Sequence, residues 1–160
     1  ASTRSGWRPA PGMPEAAGAE GYETLLAFDF GTRKIGIAIG NTLIRQARPL
    51  EILTPPTRAA RFARVSELIQ EWRPDRLVVG LPLASDGSEQ YATLQARRFA
   101  NQLRGRYGLP VELVDERGSS MQAQEMLPRN APDDALAAAI ILQRYFDSLA
   151  PRPVLSPHEP

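Results

Sequence analysis

"LLAFDFGTRKIG", residues 25–36, sets one acid, Asp29, between Phe28 and Phe30 in an apolar run that ends in a small, basic turn. A lone carboxylate among such neighbours is costly unless a cation or a hydrogen-bond donor meets it. The candidates are a backbone amide, Arg33, Lys34, a phosphate-bound cation, or a metal ion held with other acids. Residues 24–30 and 35–40 read as two strands joined by the tight turn "GTRK", with a third short strand near 46–52. Together they make an antiparallel meander.

Working outward, Phe62, Val65, Leu68, Ile69 and Trp72 recur at helical spacing, so the pattern predicts a helix over 57–72 that "RPD" ends. "RLVVG" reads as a buried strand. "LPLASDGS" has turn chemistry; Ser88 is expected to cap a helix to about Tyr107, with Gly108 as its stop. "VELVD" is a further strand, Ser119 or Ser120 is expected to cap a short helix to Leu127, and Asp133 to Leu149 forms a last helix with Leu136, Ile140 and Phe146 inward. The order is βββ-α-β-α-β-α-α. Strands that alternate with helices need crossovers, so the later strands run parallel. The expected fold is α/β, a mixed five-stranded sheet with helices on both faces. Residues 24–149 are expected to form its one domain. Residues 1–23 and the Pro-rich residues 150–160, which hold the sole histidine, His158, are expected to be flexible arms.

A chain of 160 residues can bury one real core without disulfides or structural zinc. The absence of cysteine excludes thiol nucleophiles and Cys-based metal sites and agrees with a reducing cytosol. Apolar runs are strand length, so no membrane association is expected and the location expected is cytoplasmic. A net charge of +1 does not mark a dedicated nucleic-acid domain, although Lys34 is the only lysine among 19 Lys and Arg residues, and arginine suits bidentate phosphate contacts.

In such sheets function gathers beyond the carboxyl ends of the strands. Three acids fall there: Asp29, Glu116 after "VELVD", and Asp134 at the start of the last helix. Each has a local explanation, as a partner of Arg33 or Lys34, a surface pair with Arg117, and a helix-start charge in competition with Asp133. Taken together they point elsewhere. Carboxylates brought close stay ionised only beside cations, and hard oxygen ligands suit Mg²⁺ or Mn²⁺. Such a site suits metal-assisted phosphodiester hydrolysis with no His, Cys or Ser triad. Thr32, Arg33 and Lys34 of the turn, Ser85 of the "SDGS" loop and Arg117 are the candidate substrate contacts.

The motifs "AFDFGTRKIGIAIGN", "ARPLEIL", "LVVGLPLASDGSE", "VDERGSS" and "DDALAAAIILQRYF", in this order, resemble the YqgF (RuvX) proteins of bacteria over about residues 24–149. The resemblance implies an RNase H-like fold and a nuclease of 5′-end processing of the 16S rRNA precursor; some members are described as Holliday junction resolvases. It maps the family's acids onto Asp29, Glu116 and Asp134, and implies Mg²⁺ as cofactor, with Mn²⁺ as a substitute. The implied partners are precursor rRNA or branched DNA, bound by a monomer or a homodimer. Gly118 stands where the family usually has Leu, Ala84 where it has Asn, and Asn41 where Asp is common; none removes a proposed ligand. Two rival readings remain. One is an actin-type ATP-binding fold, disfavoured because the chain holds only one domain. The other is a non-catalytic RNA-binding module using Arg97, Arg98, Arg104 and Arg106.

Overall fold

The computed structural model describes residues 21–117 and 133–151, with the backbone alone for Asp133 and Asp134. β1 (Thr24–Phe30) and β2 (Ile35–Asn41) pair antiparallel with Asp29 opposite Gly36 and Phe30 opposite Ile35. The turn between them is tight enough that a Cβ on Gly31 would sit 2.7 Å from the Lys34 carbonyl oxygen, a contact only glycine avoids. β3 (Arg48–Leu53) pairs antiparallel with β2 through a register shift at Ile37/Ala38 and places Pro49 at the sheet edge, where its missing N–H costs least. This strand begins two residues later than the expected 46.

α1 (Arg58–Trp72) crosses back to β4 (Arg76–Leu81), which lies parallel to β1. α2 (Tyr91–Tyr107) then leads to β5 (Val111–Asp115), parallel to β4. The strand order is β3-β2-β1-β4-β5, and α3 (Asp133–Ser148) closes the described chain. Both edges of expected helix α1 hold: Thr57 accepts from the Ala60 amide at 3.0 Å, and Arg73 closes the helix in the left-handed region. Gly108, at φ 67°, ends α2 as expected. The expected short helix to Leu127 lies outside the described residues.

One expectation is corrected. Ser88 does not cap α2; Gln90 does, in a capping box with Thr93. The Ser88 amide and hydroxyl instead donate to Asp86 Oδ1 at 2.9 and 2.7 Å, inside the turn that "SDGS" forms. Thr93 is fully buried: its oxygen accepts from the Gln90 amide at 2.9 Å and its hydroxyl donates to the Pro82 carbonyl. This ties the start of α2 to the end of β4.

The strand period of two sorts the residues between two cores. Leu26 and Phe28 of β1 and Leu77 and Val79 of β4 join Phe62, Val65 and Leu68 of α1 and Phe99 and Leu103 of α2 on one face. Leu25, Ala27, Ala38 and Val78 meet Ala138, Ile141, Leu142 and Phe146 of α3 on the other. The strand residues under α3 are mostly small, and Gly40 has no room for a Cβ, which would lie 2.8 Å from the Phe146 ring. The helix therefore packs close to the sheet, which decides where the acids of that face can reach.

Candidate active site

The same alternation that sends Leu25 and Ala27 towards α3 places Asp29 on that face, at the carboxyl end of β1. On β5, Val114 belongs to the α3 core and Leu113 packs against the other, so Glu116 falls on the α3 face too. The Glu116 amide donates to the Leu81 carbonyl at 3.0 Å, which carries the β4–β5 ladder one residue past the strand and fixes where the side chain starts. Between the two acids lies Gly80. A Cβ there would stand 2.9 Å from Glu116 Oε2 and 2.5 Å from Ile141 Cδ1. Its absence opens a slot through which the Glu116 carboxyl leans over β4 towards β1.

The electrostatics of this slot are severe. Burial beneath α3 pushes the Glu116 carboxyl well above its ordinary pKa of 4.5; the negative charge of Asp29, and a proton shared between the two carboxyls, raise it further. Arg144 opposes these effects, and Asp115 adds slightly to them. Arg144 Nη1 is itself anchored on the Asp115 carbonyl at 3.0 Å. Glu116 Oε2 is buried and receives no hydrogen bond. A buried carboxylate oxygen with no donor, beside a second carboxyl, fits the chemistry of a hard divalent cation. Oxygen ligands of this kind suit Mg²⁺ or Mn²⁺ and offer nothing to softer metals.

Of the three expected acids, the fold brings Asp29 and Glu116 together. Asp134 opens α3, four and seven residues ahead of Ala138 and Ile141, both of which are buried against the sheet. Its side chain lies outside the described residues. Among the described residues no three His, Cys, Asp or Glu side chains form a metal-binding group.

The proposed substrate contacts divide into two sets. Thr32, Arg33 and Lys34 are exposed on the turn just beyond Asp29. Ser85 is exposed in the loop over 83–89, which Leu83 and Glu89 close with a single bridge and in which Gly87 takes φ 88°. Arg117 meets this loop, donating from Nη1 to the Ser85 carbonyl at 3.3 Å. The surface pair considered for Glu116 is not formed. Arg117 grips Asp115 instead, at 2.9 Å through Nε and 2.6 Å through Nη2, and holds that carboxyl below its usual range. The residue reading missed Gly80, Arg144 and Thr93. Strand alternation carries a signal for Gly80, since it stands on the acid-bearing face; nothing in the local sequence marks the other two.

The comparisons agree with this geometry. At 73% identity over 127 residues, which cover 79% of this chain and 97% of the relative, the sequence matches a Bordetella petrii protein named "Putative pre-16S rRNA nuclease". A Cupriavidus necator protein of the same name is 53% identical over 137 residues, 84% of this chain and 97% of its own length. The fold is that of a Thermus thermophilus RuvC bound to a Holliday junction, with TM-score 0.50 at 18% identity over 77% of this chain and 93% of that one. It is likewise that of the fowlpox virus Holliday junction resolvase, with TM-score 0.51 at 13% identity over 79% and 99%. The RNase H-like sheet expected from the sequence is thus the observed one. With its model, described as "Holliday junction resolvase", matching residues 23–148, this chain belongs to the RuvX family.

Proposed function

We propose that this chain is a divalent-metal-dependent nuclease that hydrolyses phosphodiester bonds at the Asp29–Glu116 pair, with Asp134 as the third acid. The observation that carries the reading is the buried, donorless Glu116 Oε2 set against Asp29 across the Gly80 slot. Two carboxyls so placed do not both ionise cheaply without a cation. Asp29, Glu116 and Asp134 are the residues that would hold Mg²⁺, or Mn²⁺ in its place. Held there, such an ion would supply charge neutralisation of the acids and Lewis-acid polarisation of a phosphate, chemistry that needs no protein nucleophile. Thr32, Arg33 and Lys34 lie at the mouth of the site to receive phosphates of the strand. Ser85, on the loop after β4, and Arg117, just past β5, flank it. Arg117 contributes there mainly by pinning the loop, since Asp115 occupies most of its donors.

The names of the relatives favour the 16S rRNA precursor as substrate; its 5′ end as the place of cutting follows from the family resemblance of the motifs, and the cytoplasm is the compartment in which such a precursor would be met. The description of the family favours four-way DNA junctions as the second reading, and symmetric cutting of a junction would call for a homodimer. No helix among the described residues is long and apolar enough to cross a membrane. A cleavage assay on precursor rRNA fragments and on four-way DNA junctions, each with Mg²⁺, Mn²⁺ or EDTA, separates these readings. The expected outcome is metal-dependent cutting of the rRNA fragment that Asp29→Asn removes while the variant still folds and melts cooperatively. Binding of RNA with no cutting in either metal would leave only the non-catalytic module.

A further inference from the structure

On the opposite face of the sheet from the acids, the first turn of α1, the N-terminal two-thirds of α2 and the end of β1 line a cleft of about 310 Å³. That volume lies at the lower end of small-ligand clefts, which span roughly 300–1,000 Å³. Phe30, Thr32, Arg58, Arg61, Tyr91 and Arg98 are among its walls. Three features set it apart from an ordinary charged surface.

The first is unbalanced charge. Arg64 on α1 is neutralised by Glu51 and Glu67, and Arg97 on α2 by Glu89. Arg58, Arg61 and Arg98, on the same two helices, have no carboxylate partner among the described residues. The second is the state of Arg61. Its guanidinium lies 5.1 Å from the Phe30 ring centroid, and its Nε is buried with no acceptor. Burial and the nearby Arg58 both depress its pKa, so the group is held in a setting that an anion would relieve. The third is Tyr91, which stands 75% exposed at the mouth of the cleft, its ring left open by the described residues.

Thr32 links the cleft to the acid site. It belongs to the cleft wall and is only three residues from Asp29, whose side chain lies on the other face. A strand crossing the end of β1 can therefore touch both. Unpaired arginines receive phosphate oxygens and an exposed tyrosine ring stacks a base, which together select an unpaired nucleotide.

We propose that this cleft is a subsite for a single-stranded nucleotide flanking the bond to be cut, with Arg58, Arg61 and Arg98 on its phosphates and Tyr91 stacked on its base. The proposal rests on the nuclease reading for what happens next door, but its own evidence is independent of the acids.

The test is fluorescence anisotropy of a short labelled single-stranded RNA on the full chain in EDTA, where nothing is cut. Arg98→Ala and Tyr91→Ala are each expected to weaken binding by about tenfold, within the range for a lost phosphate contact or a lost stack. Arg98→Ala should also flatten the dependence of log affinity on log salt by about 0.7, one phosphate's worth on a single strand. Tyr91→Phe should bind as the parent does, because the ring is kept. Arg97→Ala, one residue away with the same change of net charge but already paired to Glu89, should stay within about twofold. Tyr91 and Arg98 are exposed and Arg97 is half-buried, and thermal melts check that each variant is folded. Parent-like affinity in both Arg98→Ala and Tyr91→Ala would overturn the proposal, as would an equal loss in Arg97→Ala, which would mean diffuse attraction. Variant-sensitive binding by a chain that cuts neither RNA nor junctions in Mg²⁺ would keep the cleft and refute the nuclease reading. Metal-dependent cutting with insensitive binding would do the reverse.

Discussion

Glu116 is the residue at which stability and activity pull in opposite directions. Its carboxyl binds a proton more tightly in the fold than in the unfolded chain, because burial and Asp29 both disfavour its charge. Well below pH 4.5 both states hold the proton and the group is neutral in its effect. As the pH rises past 4.5 the unfolded chain releases the proton, whereas the fold must keep it or bury a charge, so stability is lost progressively through the neutral range. Glu116→Gln keeps the shape and removes the titration. In metal-free buffer it should melt at the same temperature as the parent near pH 4 and several degrees higher at pH 8, while losing metal-dependent cleavage. Circular dichroism melts across that range, paired with the cleavage assay, check both halves, and a variant less stable than the parent at pH 8 would be evidence against a strained acid. Asp29 was legible in the sequence because a carboxylate between two phenylalanines is an anomaly that composition cannot hide. Glu116 has no such anomaly beside it. Its position after a strand marked it as a candidate, but its burial and its approach to Asp29 become visible only when Gly80, thirty-six positions earlier, is seen to lie under it.

At the scale of elements, periodicity did most of the work, and the differences fall at the starts of β3 and α2, where neighbouring side chains compete to begin an element. Strands β1, β2, β4 and β5 and helices α1 and α2 stand where alternation and the i, i+3, i+4 spacing put them. Ser88 has the better intrinsic capping propensity, yet Gln90 caps α2, because the bonds to Asp86 fold Ser88 into the preceding turn and Thr93 ties the helix start to the Pro82 carbonyl just past β4. Capping preference is a local quantity, and here the burial of Thr93 against Pro82 decided the outcome. Thr93→Val retains the shape but strands the Gln90 amide and the Pro82 carbonyl, each at a cost of roughly 1–3 kcal/mol when buried. The expected result is a loss of about 2 kcal/mol in denaturant unfolding with an unchanged slope. Because the same contact anchors the segment from Pro82 to Gln90, hydrogen exchange should quicken there more than in β1 or β2, and uniform quickening would show that the tie is not local.

Across the whole molecule the fold converts separation in sequence into proximity at one end of a sheet, and the convergence has a thermodynamic signature. Asp29 and Glu116 are 87 residues apart, yet the β1–β4–β5 order sets Gly80 between them and brings the two carboxyls together, with Arg144 opposing the charge repulsion at Glu116. The sequence made this arrangement readable only as a set of acids at strand and helix ends. Which of them meet depends on strand order and on how close α3 approaches, and neither is a property of any short segment. A cation that binds the assembled site and not the unfolded chain stabilises by mass action, about 2.7 kcal/mol when its concentration is one hundred times the dissociation constant. Mg²⁺ titrated into the parent should therefore raise its melting temperature by several degrees. The rise should be larger at pH 8 than at pH 5, since at the lower pH protons compete for the Glu116 carboxyl. Asp29→Asn should show little of it, because half of the described acid pair is gone, and Glu116→Gln should begin from a higher baseline and gain little more. Ca²⁺ distinguishes binding from chemistry in the same experiment: an oxygen site that accepts it would shift the melt without needing to support cleavage. Equal Mg²⁺ shifts in the parent and in both variants would place the ion elsewhere on the protein and remove the metal from the Asp29–Glu116 site.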